Sequence, residues 1–139
     1  MMYDKAKYHF ESVEEEGLEI SQAYVHSGFY FGWLIDNNLM SEEFAEDCAQ
    51  EIALFLKREI TAPRLFEEFD GVLSDQELSE QGNSFSQDYF ETGNYFNDYG
   101  EFLSDSLASE FHVQDSWENY QISAEFISKR YQKWLAGQG

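Results

Sequence analysis

The side chains in this chain that could carry chemistry are three histidines, one cysteine and an excess of carboxylates. His9, Glu11 and His26 supply the residue types that hold zinc, iron or manganese, since imidazole and carboxylate donors suit these ions. His112 is a further donor if the fold brings it near. Their spacing follows no helix-borne pattern such as H-E-x-x-H, so any such centre must be assembled from separate segments. A metal-dependent enzyme with a His–carboxylate site is therefore an alternative reading, not the leading one. His26 lies in an apolar stretch, and a hydrogen-bonded core histidine is the favoured reading of it.

Calcium has one weak candidate. With Gly71 placed at the invariant glycine of an EF-hand loop, Glu68, Asp70, Leu73 and Glu77 fall at the third, fifth, eighth and twelfth positions. The first ligand position falls on Phe66, which cannot bind calcium. An Asp-Gly turn followed by a capped helix explains the same residues without metal. Nucleophilic catalysis has less support, because no G-x-S-x-G, GxxxxGK[ST] or GxGxxG is present. Cys48 recurs with apolar neighbours and reads as a small hydrophobe. With 28 acidic residues, chance carboxylate pairs are unavoidable and say little about acid–base chemistry. The expectation is a protein that is not an enzyme, with no cofactor.

The elements that must position these groups read as helices. Ile20 to Asn38 is nearly all apolar from Ala23 to Ile35, which is too short for a bilayer span and suits a helix buried at the centre of a domain. Gly28 and Gly32 sit four apart on one face, and the cost of each is offset if a neighbouring helix approaches there. Asp4 is expected to cap a short helix starting at Lys5, and Val13 to Glu19 reads as a loop. Ser41 caps a helix whose core face is Phe44, Cys48, Ile52, Phe55 and Leu56, with Lys57 and Arg58 in its last turn. Thr61 caps a shorter one that accepts Pro63 in its first turn. Ser74 to Glu77 is a capping-box pattern that starts a helix at Asp75, with two helices over 75–91 and 95–108. A last helix runs from about Trp117, or from Ser123, to Ala136, stopped by Gly137. No strand is required, although the Val113 region could form a short extended piece. The chain is expected to form a single compact all-α domain over 1–139, with five to seven helices packed around a buried central helix at about 21–36.

Charge is the strongest functional signal. Eight basic residues face 28 acidic ones, a net charge of −20. Nucleic acid and anionic membrane are poor partners for such a chain, and a basic protein is a good one. The lone cysteine and the absence of an apolar leader suit a cytoplasmic protein. From Leu65 to Ser128 there are fifteen acids and no base. Within that window, Ser84 to Phe102 interleaves seven aromatics with Asp88, Glu91, Asp98 and Glu101. Nucleic-acid surfaces interleave aromatics with cations instead. Phe85, Tyr89, Phe96 and Tyr99 share a helical face and read as core; Phe90, Tyr95 and Phe102 are left to be exposed. The candidate partner-binding residues are Asp88, Glu91, Tyr95, Asp98, Tyr99, Glu101 and Asp105, with tyrosines serving as interface anchors.

Several phrases together resemble a DUF7832-type domain, a family of small acidic bacterial proteins of unassigned function. They are Tyr3-Asp4-Lys5-Ala6 with His9-Phe10-Glu11, His26-Ser27-Gly28 with Gly32-Trp33 and Ile35-Asp36, and Ser41-Glu42-Glu43-Phe44. Asp70-Gly71-Val72-Leu73, Gly82-Asn83-Ser84-Phe85 and His112-Val113 with Trp117-Glu118-Asn119-Tyr120 complete them. The resemblance implies no catalytic residues. Small acidic proteins of this sort are similar to the immunity proteins encoded beside bacterial toxins. The leading expectation is accordingly a non-enzymatic immunity protein that covers the basic cleft of a toxin acting on an anionic substrate, a nuclease or an NAD-using ADP-ribosyltransferase. A nucleic-acid mimic that occupies a DNA-binding protein is a third reading.

Overall fold

Gly28 and Gly32 set the packing of the molecule. In the computed structural model, which describes residues 1–138, a short 3-10 turn over Ile20–Tyr24 leads into helix α2, Val25–Asp36, whose residues Val25 to Ile35 are all buried. Helix α5, Ala62–Glu68, lies across the glycine face. A Cβ on Gly28 would stand 2.6 Å from Pro63 Cα, and one on Gly32 would stand 2.5 Å from Ala62 Cβ. Two side-chain-free positions thus let two backbones meet, which outweighs the helix propensity they sacrifice.

The remaining elements wrap this pair. Strand β1 (Met2–Lys5), a 3-10 turn over Ala6–His9 and helix α1 (Phe10–Glu15) precede it. Helices α3 (Glu42–Asp47) and α4 (Ala49–Leu56) stand between α2 and α5 in the chain. Beyond α5 come strand β2 (Val72–Ser74), α6 (Glu80–Tyr89), α7 (Asn94–Tyr99) and a π-helical turn over Gly100–Ser104. A 3-10 turn at Glu110–His112 then leads to α8, Trp117–Gln138. The fold is all-helical apart from the small antiparallel β1–β2 ladder, in which Asp4 pairs with Leu73 and Lys5 with Val72. No helix among the described residues is long and apolar enough to cross a membrane.

Caps read from the sequence are in place. Ser41 accepts from the Phe44 amide and Thr61 from the Arg64 amide. Asp70 and Gly71 turn with φ of 61° and 63°. Other boundaries move. Ser74 ends a strand instead of capping a helix; its hydroxyl donates to Glu77, and α6 starts only at Glu80, capped by Ser79. The intervening chain is held by a bridge between Leu78 and Met40, a long-range pairing that overrides the local capping box. Residues expected as a loop after Val13 are partly helical in α1. The helix expected over Ser41 to Arg58 breaks at Cys48, where φ is −113°, and this turns Leu56 outward to 53% exposure, away from the core face assigned to it. Gly137 does not stop α8, which continues to Gln138.

Burial takes in two aromatics, Phe90 and Tyr95, that periodicity left outside. Tyr30, Tyr89, Phe90, Tyr95 and Tyr99 all lie in the core. Most of their hydroxyls are paired: Tyr30 with Ser86 at 2.7 Å, Tyr89 to Asp98 at 2.8 Å, and Tyr95 to the His26 carbonyl. A buried tyrosine supplies apolar area if its hydroxyl finds such a partner.

Candidate functional site

Two regions deserve the name of candidate site, and the structure redraws both. The first lies where β1 meets α2. Asp4 sits on β1 opposite Leu73, so its side chain turns inward and is buried. Asp4 caps no helix: the following turn begins at Ala6 without a side-chain cap. Its carboxylate instead accepts from His9 Nε2 at 2.8 Å on Oδ1 and 3.1 Å on Oδ2. His26 Nε2 lies 3.2 Å from Oδ2, and the Ser27 hydroxyl donates to the same oxygen at 2.5 Å. The 3-10 turn brings His9 back over the strand, and α2 presents His26 and Ser27 from its first turn. The two imidazoles meet edge to face with centroids 4.6 Å apart, and Phe111 packs against both.

Burial alone pushes the Asp4 carboxyl upward. Hydrogen bonds from His26 and His9, the charge of His26 and the Ser27 hydroxyl together outweigh that and hold it well below the usual carboxylate range. Asp4 is thus an anion in the interior, held by two imidazoles and a hydroxyl. His26 Nδ1 is buried with no hydrogen-bond partner. Asp4, His9 and His26 present ligand atoms within 4.8 Å of one another, and this is the one grouping of at least three such residues found among the described residues.

The histidine pair expected from sequence therefore converges, with a different carboxylate. Glu11 is exposed on α1 and stands outside the cluster. His112 also stands outside it, with Nδ1 3.0 Å from the Ser109 hydroxyl. Nothing local marks these two residues: Asp4 reads as a helix cap, and Ser27 is a polar residue in an otherwise apolar stretch. Only the strand pairing turns Asp4 inward. The calcium alignment fails on the same ladder, since Leu73 is a buried strand residue and Glu77 is engaged by Ser74. Cys48 is half-buried, and burial together with Glu51 and Asp47 raises its thiol pKa, the opposite of activation.

The second region is the acidic, aromatic stretch. Asp88, Glu91, Glu101 and Asp105 are exposed. Tyr95, Asp98 and Tyr99 are buried and cannot form the outer surface assigned to them. Tyr95 fills the space between Tyr30 and Phe90, at 5.1 and 5.4 Å between ring centroids. Asp98 is turned inward by Tyr89 and Arg130. Phe90, also expected outside, is core as well. Phe102 is the aromatic that does face water, 54% exposed, and it stacks on Phe126 at 5.4 Å and 18°. The π-helical turn rotates it off the face that α7 buries. Bases absent from the stretch in sequence arrive in space: Lys129, Arg130 and Lys133 on α8 line a groove with Glu101, Phe102 and Phe126. Asp88 accepts from Trp134 Nε1 at 2.8 Å.

Among known proteins, a family model described as a domain of unknown function, DUF7832, matches residues 2–113. No curated protein and no solved structure matches the chain.

Proposed function

We propose that this chain, which belongs to the DUF7832 family, acts as a non-enzymatic acidic module that binds a basic protein. Its most concrete form is an immunity protein that covers the basic cleft of a toxin domain acting on an anionic substrate, of nuclease or ADP-ribosyltransferase type. The observation that carries this reading is Phe102, an exposed aromatic between exposed Glu101 and an acid one turn on, Asp105, in a chain of net charge −20. An exposed aromatic can anchor an interface; Glu101 flanks Phe102 on one side and Lys129, Arg130 and Lys133 line the groove on the other, while the net charge of the whole chain suits a basic partner. The long-range field would raise the association rate, and the aromatic would slow dissociation. Asp88 and Glu91 are further exposed acids of the same half of the chain, and Tyr95, Asp98 and Tyr99 support it from within.

The test is binding to the basic domain encoded beside this gene, measured with wild type and with Phe102→Ala and Glu101→Lys/Asp105→Lys. The charge reversals are expected to slow association and to flatten its dependence on salt. Phe102→Ala is expected to weaken binding by about tenfold or more, as for an interface anchor. Equal affinity in all three would remove this surface from the proposal.

A further inference from the structure

We propose that Asp4, His9 and His26 form a binding site for one divalent transition ion of the zinc type. Nε2 of each imidazole and one Asp4 oxygen would be the ligands, with the Ser27 hydroxyl orienting the carboxylate. This inference does not rest on the binding-module reading.

Geometry carries it first. Both imidazoles aim Nε2 at one carboxylate, at 2.8 Å for His9 and 3.2 Å for His26. Tetrahedral zinc with ligand bonds near 2.0–2.2 Å keeps its ligand atoms about 3.3 Å apart. Both separations from Asp4 lie within about 0.5 Å of that spacing, the three ligand atoms all lie within 4.8 Å of one another, and two histidines with a carboxylate are a common donor set for such ions.

Hydrogen-bond accounting carries it next. Three donors converge on the Asp4 carboxylate, His9 chiefly on Oδ1 at 2.8 Å, and His26 at 3.2 Å and Ser27 at 2.5 Å on Oδ2. An ion bound by the two nitrogens replaces both N–H donors and leaves Ser27 as the outer hydrogen bond that fixes the carboxylate. His26 and Ser27 already tie α2 to Asp4 on β1, so His9, which reaches the same carboxylate from the turn after β1, is a second imidazole that this tie does not need. The His9 side chain, 24% exposed, gives the cluster its edge to solvent. The ion would also bring positive charge to a strongly acidic protein.

The experiment uses the full chain, stripped with chelator, and titrates it with Zn(II) and with Co(II), whose visible absorption reports imidazole coordination. One equivalent is expected to bind and to raise Tm, because an ion that binds only the native state stabilises it. His9→Gln can keep a hydrogen bond to Asp4 and so keep the fold, yet should weaken Zn(II) binding by about a hundredfold and abolish the Co(II) bands. Glu11→Gln should change neither. Mg(II) and Ca(II), which any acidic surface gathers, should not displace Co(II). Zn(II) affinity unchanged in His9→Gln, or no stoichiometric binding by the folded wild type, overturns the proposal. Should Asp4→Asn fail to fold, His9→Gln still decides.

Discussion

Arg130 clasps Asp98 through two hydrogen bonds of 2.8 Å, Nε to Oδ2 and an Nη to Oδ1, across 32 residues of chain. The Tyr89 hydroxyl adds a third, also 2.8 Å, to Oδ2. Fork-to-carboxylate pairing of this kind is the strong form of an ion pair. It joins α8 to α7 and α6, and it turns an acid of the acidic half into a structural residue.

Asp98→Ala is therefore expected to destabilise the protein. The Tyr89 hydroxyl would lose its acceptor in the interior, while Arg130, half exposed, would regain water. A loss of about 1–3 kcal/mol is expected for the orphaned hydroxyl and broken pair. Urea unfolding measures it, and an unchanged midpoint would refute the structural role.

Gly32 in α2 and Gly137 in α8 make predictions of opposite sign. Gly32→Ala places a Cβ 2.5 Å from Ala62 Cβ, so α5 must move, and overpacking of this kind costs about 1–3 kcal/mol. Gly137→Ala, where no atom lies within 4 Å of the added Cβ, should gain a few tenths of a kcal/mol from helix propensity near the end of α8. Thermal unfolding of the two variants should shift Tm in opposite directions.

Asp115 sets a pH dependence. Burial raises its carboxyl above the ordinary value, against the Thr61 hydroxyl at 2.7 Å and the charge of Arg64. Its Oδ1 is buried without a partner. A folded pKa above the unfolded one means that the native state binds the extra proton. The stability due to this group is thus full below the unfolded pKa, near 4, and is lost as pH rises through the folded value. Asp115→Asn removes that loss. It should be more stable than wild type at pH 7, and the difference should shrink as the pH is lowered toward 4. A constant difference across that range would point to another cause.

Salt should stabilise the whole molecule. At −20 the native state repels itself, and screening shortens from about 30 Å at 0.01 M to about 10 Å at 0.1 M ionic strength. Tm is expected to rise over that interval and then level off. A fall would mean that the ion pairs Arg130–Asp98 and Arg58–Asp36 outweigh the repulsion.

How much of this was legible beforehand depends on the range of the interaction concerned. The central helix, the glycine face, the caps at Ser41 and Thr61 and the Asp70-Gly71 turn are local. Each is set by residues within four positions of one another, where spacing and side-chain chemistry act directly. The sequence by itself also determined the helical class and the excess of negative charge. In α6 and α7 almost every face carries a ring; periodicity put Phe85, Tyr89 and Tyr99 inside and left Phe102 outside, as found, but it also left Phe90 and Tyr95 outside. Tertiary structure alone put those two in the core. It also decided the partner of the histidines. Asp4 turns inward because β1 pairs with a strand about seventy residues away, whose register no nearby residue encodes, and only that pairing brings one carboxylate to both imidazoles.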